Sequence, residues 1–315
     1  MASATRNQIR IDDSPLGPVA GRIGVEVRGV RLADDLDAAT IAAIRAALVR
    51  HKVIFFRDQS DLDDLAHEAF GMKLGELAVP TDQSAQPTRP GTRAILELDS
   101  REGAIANSWH TDLTFLERPP AISILRAVLV PEWGGDTVWA NMATAYQDLP
   151  EPLRELADKL WTIHTSEYNY IQSDKNQVRL IIPRENPEPT SAIAFGKLFE
   201  TQQPLVRLHP ESGERSLLLG RYATRIVGLR AEDAKFLLEM YQDYALRPEN
   251  TVRWSWRAGD VVIWGNRSTQ HRLIADFGDQ RRIMRRVTIL GDRCVGVDGR
   301  VSRALRTAPV AMAAE

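Results

Sequence analysis

The chain has almost no cysteine. Cys294 is the single cysteine among 315 residues, so an internal disulfide is impossible and a four-cysteine zinc site is excluded. The hydrophobic content of 43% is ordinary for a globular protein. A chain of this length can bury a full core without such staples.

Long apolar runs and an excess of basic residues are also missing. No window approaches the roughly 18 uninterrupted apolar residues of a membrane helix. The first residues, MASATRNQIRIDD, lack the apolar run of a signal peptide. We therefore expect a cytoplasmic protein without a membrane partner. The formal net charge of −2 gives no basic excess, so we expect no nucleic-acid partner either.

Apolar periodicity predicts a mixture of strands and helices. Strand-like runs lie at 23–30, 52–57, 122–130, 252–256, 260–264 and 283–290. Helical spacing is found at 37–51, 62–74, 152–160 and 231–246. No repeat or linker composition divides the chain. We therefore predict one domain, with strands from both halves of the chain in a sheet core and helices around it.

The segment 168–200 differs in composition from the rest. It contains prolines and scattered charges without a sustained period. A loop of this length inside a compact domain is usually a functional lid or is disordered. We predict a mobile lid over about 168–200.

One of the six histidines is distinguished by its neighbours. His110 and Asp112 are two residues apart, and such positions on an extended segment point to the same face. His271, after the predicted strands and a turn at 265–268, is the candidate third ligand. Two imidazoles and a carboxylate on one face are typical of non-haem iron(II) oxygenases. The His-x-Asp pattern alone is a weak signal, because it often arises by chance.

The other histidines carry less information. His51, His67 and His209 lie in helical or turn-like sequence and need no role beyond structure. His164 follows a predicted helix and adjoins 168–200, and its role stays open.

Four arginines lie on one predicted strand after His271. Because side chains alternate along a strand, Arg282 and Arg286 share one face, while Arg281 and Arg285 share the other. Buried arginines need partners, and the guanidinium group is well shaped to grip a carboxylate or a sulfonate. The alternative is an edge strand with solvated arginines, and periodicity does not choose between the two faces.

Four motifs in this order resemble the taurine/2-oxoglutarate dioxygenase family, over about 21–292. They are WHTDLTF at 109–115, GGDT at 134–137, WGNRSTQH at 264–271 and RRIMRR at 281–286. Within that family the chain is most similar to the bacterial alkylsulfatase branch. That similarity rests on WAN at 139–141, LPEPL at 149–153, HPESGER at 209–215 and RWSW at 253–256.

The resemblance implies an α+β fold whose core is a double-stranded β-helix, or jelly roll, with surrounding helices. It implies an enzyme that uses Fe(II), with 2-oxoglutarate and O₂ as co-substrates, and that forms a homo-oligomer, either a dimer or a tetramer. The alternatives are a non-catalytic ligand-binding protein on the same fold and a hydrolytic zinc enzyme.

The resemblance also implies roles for individual residues. The iron ligands correspond to His110, Asp112 and His271. Thr137 and Arg282 match the residues that bind the distal carboxylate of 2-oxoglutarate. Arg286 matches the arginine that binds the anionic head of the substrate. Leu113 and Tyr222 match residues that line the substrate pocket. These matches place Arg282 and Arg286 on the inward face of their strand.

The chain differs from the taurine enzyme at positions where that enzyme recognises taurine. No histidine lies between His67 and His110, where that enzyme has one for the sulfonate, and Ala106 and Gly265 replace an asparagine and an aspartate. We therefore expect hydroxylation of another small or medium organic anion. A carboxylate, or a sulfate on a longer apolar chain, fits better than a compact zwitterion, and the hydroxylated product can then be cleaved.

An inward Arg286 needs an anion beside it, because a buried guanidinium without one is destabilising. The sequence offers one nearby acid of the same parity, Asp292, as a structural partner. We expect the substrate to supply the anion instead.

Overall fold

A computed structural model describes residues 18–78, 91–103, 105–166, 171–174, 177–180 and 197–309. Most of the predicted lid at 168–200 lies outside these residues, so the lid stays a prediction. None of the described helices is long and apolar enough to cross a membrane.

The described residues form five α-helices and seventeen strands. The helices are α1 (Ala38–His51), α2 (Asp64–Leu74), α3 (Met142–Gln147), α4 (Glu151–Ala157) and α5 (Ala231–Ala245). The strands of the first half are β1 (Val25–Glu26), β2 (Val53–Phe56), β3 (Leu96–Asp99), β4 (Ile122–Leu129), β5 (Thr137–Asn141), β6 (Trp161–Thr165), β7 (Ile171–Asp174) and β8 (Gln177–Leu180). The strands of the second half are β9 (Lys197–Pro204), β10 (Val206–Leu208), β11 (Arg215–Leu217), β12 (Ala223–Ile226), β13 (Thr251–Trp254), β14 (Val261–Gly265), β15 (Thr269–Leu273), β16 (Ile283–Ile289) and β17 (Arg303–Pro309).

The predicted helices are confirmed, and local signals set their ends. The side chain of Asp37 accepts a hydrogen bond from the backbone N–H of Thr40 at the start of α1. Asp63 caps α2 in the same way, because its carboxylate accepts from the backbone of Ala66. Helix α4 ends at Ala157, earlier than predicted.

The predicted strand at 23–30 is much shorter in the structure. Only Val25 and Glu26 form β1. Gly24 and Gly29 flank it with φ angles of 87° and 74°, in the left-handed region that glycine tolerates and an extended strand does not use. The apolar pattern correctly predicted which residues are buried, but it did not predict that the strand is interrupted at these two glycines.

The largest sheet has six strands in the order β1-β2-β14-β4-β16-β3. Strand β16, which carries Arg285 and Arg286 and directly follows Arg281 and Arg282, pairs with β4 on one side and with β3 on the other. The alternative of an edge strand with solvated arginines is therefore wrong. Helices α1 and α2 cover one face of this sheet, where Ile44, Phe70 and Val287 belong to one buried apolar cluster.

The other face of the six-stranded sheet packs on a three-stranded sheet in the order β13-β5-β15. Aromatic rings fill the space between the two sheets. The Phe55 ring centroid lies 4.2 Å from that of Trp254 and 5.7 Å from that of Trp139, and Trp139 lies 5.8 Å from Trp264. A four-stranded sheet in the order β12-β6-β9-β17 and two hairpins complete the described strands.

Candidate metal centre and co-substrate site

His110 and His271 are brought together by the backbone. The N–H of His110 donates to the carbonyl of His271 at 3.0 Å, and the reverse bond is 2.8 Å. Strand β15 carries His271, whereas His110 forms only an isolated bridge. The expected extended segment is therefore a single bridge, and Asp112 already begins a turn in which Leu113 has a φ of 49°. That turn, rather than strand alternation, directs the carboxylate towards the histidines.

The three predicted ligands converge on one point. The Nε2 atoms of His110 and His271 lie 3.7 Å and 3.8 Å from Oδ1 of Asp112. One candidate ligand atom from each residue lies within 4.8 Å of the other two, and all three residues are buried. Two imidazole nitrogens and one carboxylate oxygen at this spacing fit a divalent transition metal such as iron(II).

Hydrogen bonds behind His110 and Asp112 fix the orientation of these two ligands, whereas Nδ1 of His271 has no hydrogen-bond partner among the described residues. Nδ1 of His110 donates to the Ser108 carbonyl at 2.8 Å, which leaves the lone pair on Nε2 facing Asp112. The Ser123 hydroxyl donates to Oδ2 of Asp112 at 2.8 Å and accepts from Asn266 at 2.9 Å. Such outer contacts hold a metal ligand in one rotamer. The sequence analysis did not identify Ser123 or Asn266.

The protonation states of the ligands suit a metal ion. Burial lowers the pKa of His110, and burial together with His110 lowers the pKa of His271 to about 3, so both imidazoles are neutral at pH 7. Burial alone would raise the pKa of Asp112, but Arg286 and the two histidines outweigh it and hold that pKa well below its usual range. Neutral imidazoles and an ionised carboxylate are the forms that bind metals.

Arg286 lies beside the metal ligands. Its Nη1 donates to Oδ1 of Asp112 at 3.1 Å. The expectation that the substrate alone would supply its anion is therefore corrected. Asp292, the acid that the sequence offered, pairs instead with Arg267 at 2.6 Å. The true partner is 174 residues away along the chain, so strand parity could not reveal it.

Arg282 lies in a separate buried cluster with Thr137 and Trp256. Its Nε donates to the Gly135 carbonyl at 3.2 Å, and its Nη2 makes a long 3.4 Å hydrogen bond to the Thr137 hydroxyl. The indole N–H of Trp256 donates to the same hydroxyl at 3.0 Å. Burial lowers the pKa of Arg282 to about 10, against the opposing effect of Asp136. The guanidinium is thus buried against neutral oxygens and can accommodate a carboxylate.

Trp256 is a site residue to which the sequence analysis gave no role. It belongs to the RWSW motif at 253–256, but its position became clear only from its bond to Thr137. The centre of the Arg282 guanidinium also lies 5.9 Å from the centroid of the Trp256 ring.

The two residues matched to the substrate pocket lie beside the metal ligands. The centroid of the Tyr222 ring lies 6.2 Å from the centroid of the His110 ring and 5.1 Å from that of the Phe115 ring. Both contacts are edge to face. Leu113 directly follows Asp112 and is half-buried. An apolar wall therefore adjoins the anionic and cationic groups of the centre.

Comparison with known proteins identifies the family. The family model described as "Taurine catabolism dioxygenase TauD, TfdA family" matches residues 12–288. The chain belongs to this family. It is therefore an Fe(II)- and 2-oxoglutarate-dependent dioxygenase, in agreement with the His110, Asp112 and His271 cluster.

Individual relatives cover almost the whole chain. An α-ketoglutarate-dependent sulfate ester dioxygenase from Pseudomonas putida is 54% identical over 92% of this chain and 93% of its own. An alkylsulfatase from Acinetobacter baylyi is 46% identical over 90% of this chain and 87% of its own. A crystal structure of a taurine dioxygenase from Burkholderia xenovorans is 36% identical, with a TM-score of 0.76, over 92% of this chain and 95% of that chain. The chain therefore has the same mixed α/β fold, with several β-sheets, as these dioxygenases.

Proposed function

We propose that this dioxygenase hydroxylates alkyl sulfate esters at the carbon next to the ester oxygen. The observation that carries the proposal is the guanidinium of Arg286 beside the metal ligands, with an apolar wall next to it. An anionic head and an apolar chain match those two surfaces. The similarity to a sulfate ester dioxygenase and to an alkylsulfatase favours sulfate over a carboxylate or sulfonate head.

The metal is held by His110, Asp112 and His271. We assign the distal carboxylate of 2-oxoglutarate to Arg282, Thr137 and Trp256. The support for this assignment is a buried guanidinium whose hydrogen bonds, within the described part of the chain, go to the neutral oxygens of Gly135 and Thr137. A bidentate ion pair with a carboxylate would satisfy that guanidinium and would also fix the orientation of the co-substrate.

The sulfate group binds Arg286. Only Nη1 of this side chain is bonded to Asp112, and its buried Nε has no hydrogen-bond partner among the described residues. A buried donor without a partner is costly, and a sulfate oxygen can accept from it. Leu113 and Tyr222 contact the alkyl chain and exclude water from the reacting carbon.

The proposed reaction conserves atoms and charge. Bound iron(II), with 2-oxoglutarate and O₂, supplies the oxidising chemistry that replaces one C–H bond of the substrate by C–OH. One oxygen atom enters the substrate, and the other enters succinate as 2-oxoglutarate loses CO₂. The hydroxylated carbon bears the sulfate, so its O–H proton leaves, a C=O bond forms and the C–O bond to sulfate breaks. The products are an aldehyde, sulfate, succinate and CO₂.

We propose three further properties together with this function. The six-stranded and three-stranded sheets, which pack through aromatic residues, form the two walls of a double-stranded β-helix. The enzyme is cytoplasmic, and it is a dimer or a tetramer. Light scattering of the purified full-length chain tests the oligomeric state.

The test of the function is product analysis. The iron-loaded protein is incubated with 2-oxoglutarate, O₂ and linear alkyl sulfates of increasing chain length. Alkyl sulfonates of the same length, taurine, aryloxy acids and the parent alcohols serve as comparison substrates. We expect equal amounts of sulfate, aldehyde and succinate from the alkyl sulfates, and little succinate from taurine or the neutral alcohols. Faster turnover of a carboxylate, or of a neutral compound, would contradict the proposal.

A further inference from the structure

The turn that carries Asp112 is held from strand β9 of the four-stranded sheet. We call residues 112–116 the ligand turn. Three successive carbonyls of this turn accept hydrogen bonds from two side chains of β9. The Thr201 hydroxyl donates to the carbonyl of Phe115 at 2.7 Å, and Nε2 of Gln203 donates to the carbonyls of Thr114 and Leu116 at 2.9 Å and 3.0 Å. Both β9 side chains are buried.

The ligand turn depends on such contacts for its shape. Leu113, the residue after Asp112, has a φ of 49°, in the left-handed region that is unfavourable for a side chain with a Cβ atom. Within the turn, one backbone bond closes the chain, from the N–H of Leu116 to the carbonyl of Leu113 at 3.0 Å. A strained conformation persists when surrounding structure over-determines it. The β9 side chains are that structure here.

His164 on β6 completes the contact from the same sheet. The Thr162 hydroxyl donates to the Gln203 carbonyl at 3.2 Å, so its oxygen accepts from Nε2–H of His164 at 2.9 Å. Nδ1 of His164 therefore carries no proton and accepts from the Thr114 hydroxyl at 2.8 Å. Burial lowers the pKa of His164 to about 3, which keeps the imidazole in this neutral form. The histidine whose role the sequence left open thus contacts the ligand turn.

We infer that Gln203, supported by Thr201 and His164, is a positioning residue for the metal site. Among the described residues, the hydrogen bonds to the Asp112 carboxylate come from Ser123 and Arg286. Gln203, Thr201 and His164 instead fix the turn from which that carboxylate and the Leu113 side chain project. Ser123 holds the carboxylate itself from the six-stranded sheet. Contacts from both sheets therefore fix the position of the Asp112 carboxylate. This inference rests on the assignment of Asp112 as a metal ligand.

The primary test is Gln203→Met in the full-length protein. Methionine has a similar length but lacks both N–H donors, so the carbonyls of Thr114 and Leu116 lose their partner. We expect the dissociation constant for Mn(II), measured by calorimetry without substrate, to rise about 10- to 100-fold, as is usual for outer contacts of metal ligands. In the iron-loaded enzyme, we expect more succinate to form per substrate molecule oxidised. The matched control is Gln202→Met on the same strand, since the Gln202 side chain is hydrogen-bonded, among the described residues, to exposed Arg303 alone.

A second variant keeps the inference testable if Gln203→Met does not fold. Thr201→Val preserves shape and removes only the hydroxyl bonded to Phe115, and we expect a roughly 3- to 10-fold weaker affinity for Mn(II) in a folded protein. The inference is overturned if the folded variants bind Mn(II) as tightly as the unmodified chain and keep its ratio of succinate to oxidised substrate. It is also overturned if Gln202→Met weakens binding equally. If the unmodified chain binds no Mn(II), the ligand assignment itself is wrong, and the inference falls with it.

Discussion

The two faces of strand β16 and of the residues just before it carry arginines with different partners. On the helix-covered face, Arg285 pairs with Glu97 at 2.8 Å and with Asp64 at 2.9 Å. Arg281 pairs with Asp99 at 2.6 Å. These carboxylates belong to the scaffold, so the charges of Arg281 and Arg285 are balanced without any ligand.

On the interior face, the hydrogen-bond donors of the arginines are less completely paired with carboxylates. Arg282 is bonded to neutral oxygens, and Arg286 is bonded through one nitrogen to Asp112, a candidate metal ligand. Residue type and spacing are the same on both faces, and burial alone does not separate them, because Arg285 and Arg286 are exposed to nearly equal extents, at 15% and 14% of the side chain. The two faces therefore differ in pairing: the scaffold leaves the donors of Arg282 and Arg286 incompletely paired, which is the condition under which we propose that an arginine binds a ligand.

Replacing Asp112 should have the largest effect. Asp112→Ala removes a metal ligand and also leaves Arg286 without its carboxylate, so both charge and geometry are lost. We expect no measurable succinate formation and less than one bound metal ion per chain. Asp61→Ala, which removes a surface partner of Arg31, is the control and should be fully active. Substantial turnover by Asp112→Ala would refute the metal assignment.

Removing Arg282 tests the interior face directly. Arg282→Ala should raise KM for 2-oxoglutarate on the order of 30-fold or more, since a carboxylate that loses a buried guanidinium loses roughly 2–5 kcal/mol of binding. Arg285→Ala on the opposite face should leave that KM nearly unchanged. KM is measured from initial rates at varied 2-oxoglutarate and saturating alkyl sulfate. A large rise in this KM for Arg285→Ala, with little change for Arg282→Ala, would mean that the other face binds 2-oxoglutarate.

Removing Arg286 separates the two interior arginines from each other. Arg286→Met should raise KM for the alkyl sulfate about tenfold, which corresponds to about 1.4 kcal/mol, through the loss of one charge-assisted contact. KM for 2-oxoglutarate should hardly change, provided that iron is saturating. An unchanged KM for the alkyl sulfate would show that its head group binds elsewhere.

On the helix-covered face we expect effects on stability and not on binding. Arg285→Met leaves Glu97 and Asp64 short of a partner, and we expect the free energy of unfolding in urea to fall by about 1–3 kcal/mol. Both KM values should stay within twofold. A large rise in either KM in a folded variant would mean that this face also binds a ligand.

The smallest effect is expected for Arg281. Its side chain is 42% exposed, so solvent screens its pair with Asp99. We expect Arg281→Ala to change the free energy of unfolding by about 0–1 kcal/mol, with unchanged kinetics. A loss as large as that of Arg285→Met would show that the Asp99 pair is shielded from solvent.

Much of the local structure could be predicted because its causes are local. Helix α1 is specified by apolar spacing and by the Asp37 cap, and α2 by the Asp63 cap. Strands β2 and β14 are apolar runs whose residues are all buried except Gly265, the last residue of β14. The six predicted strand runs match six of the seventeen described strands, and the other eleven were missed. Among these are β5 and β15, where buried polar residues such as Gln270 and His271 hide the apolar signal.

The sequence by itself determined the family, the candidate ligands His110, Asp112 and His271, and the alternation that puts Arg282 and Arg286 on one face. These are properties of residue type and short spacing, which a chain carries in any conformation. Only the tertiary structure decided that Arg286 pairs with Asp112, that Trp256 bonds to Thr137, and that Gln203 holds the ligand turn. Those partners are 174, 119 and 89 residues apart, so the packing of the sheets, and no local pattern, determines that they meet.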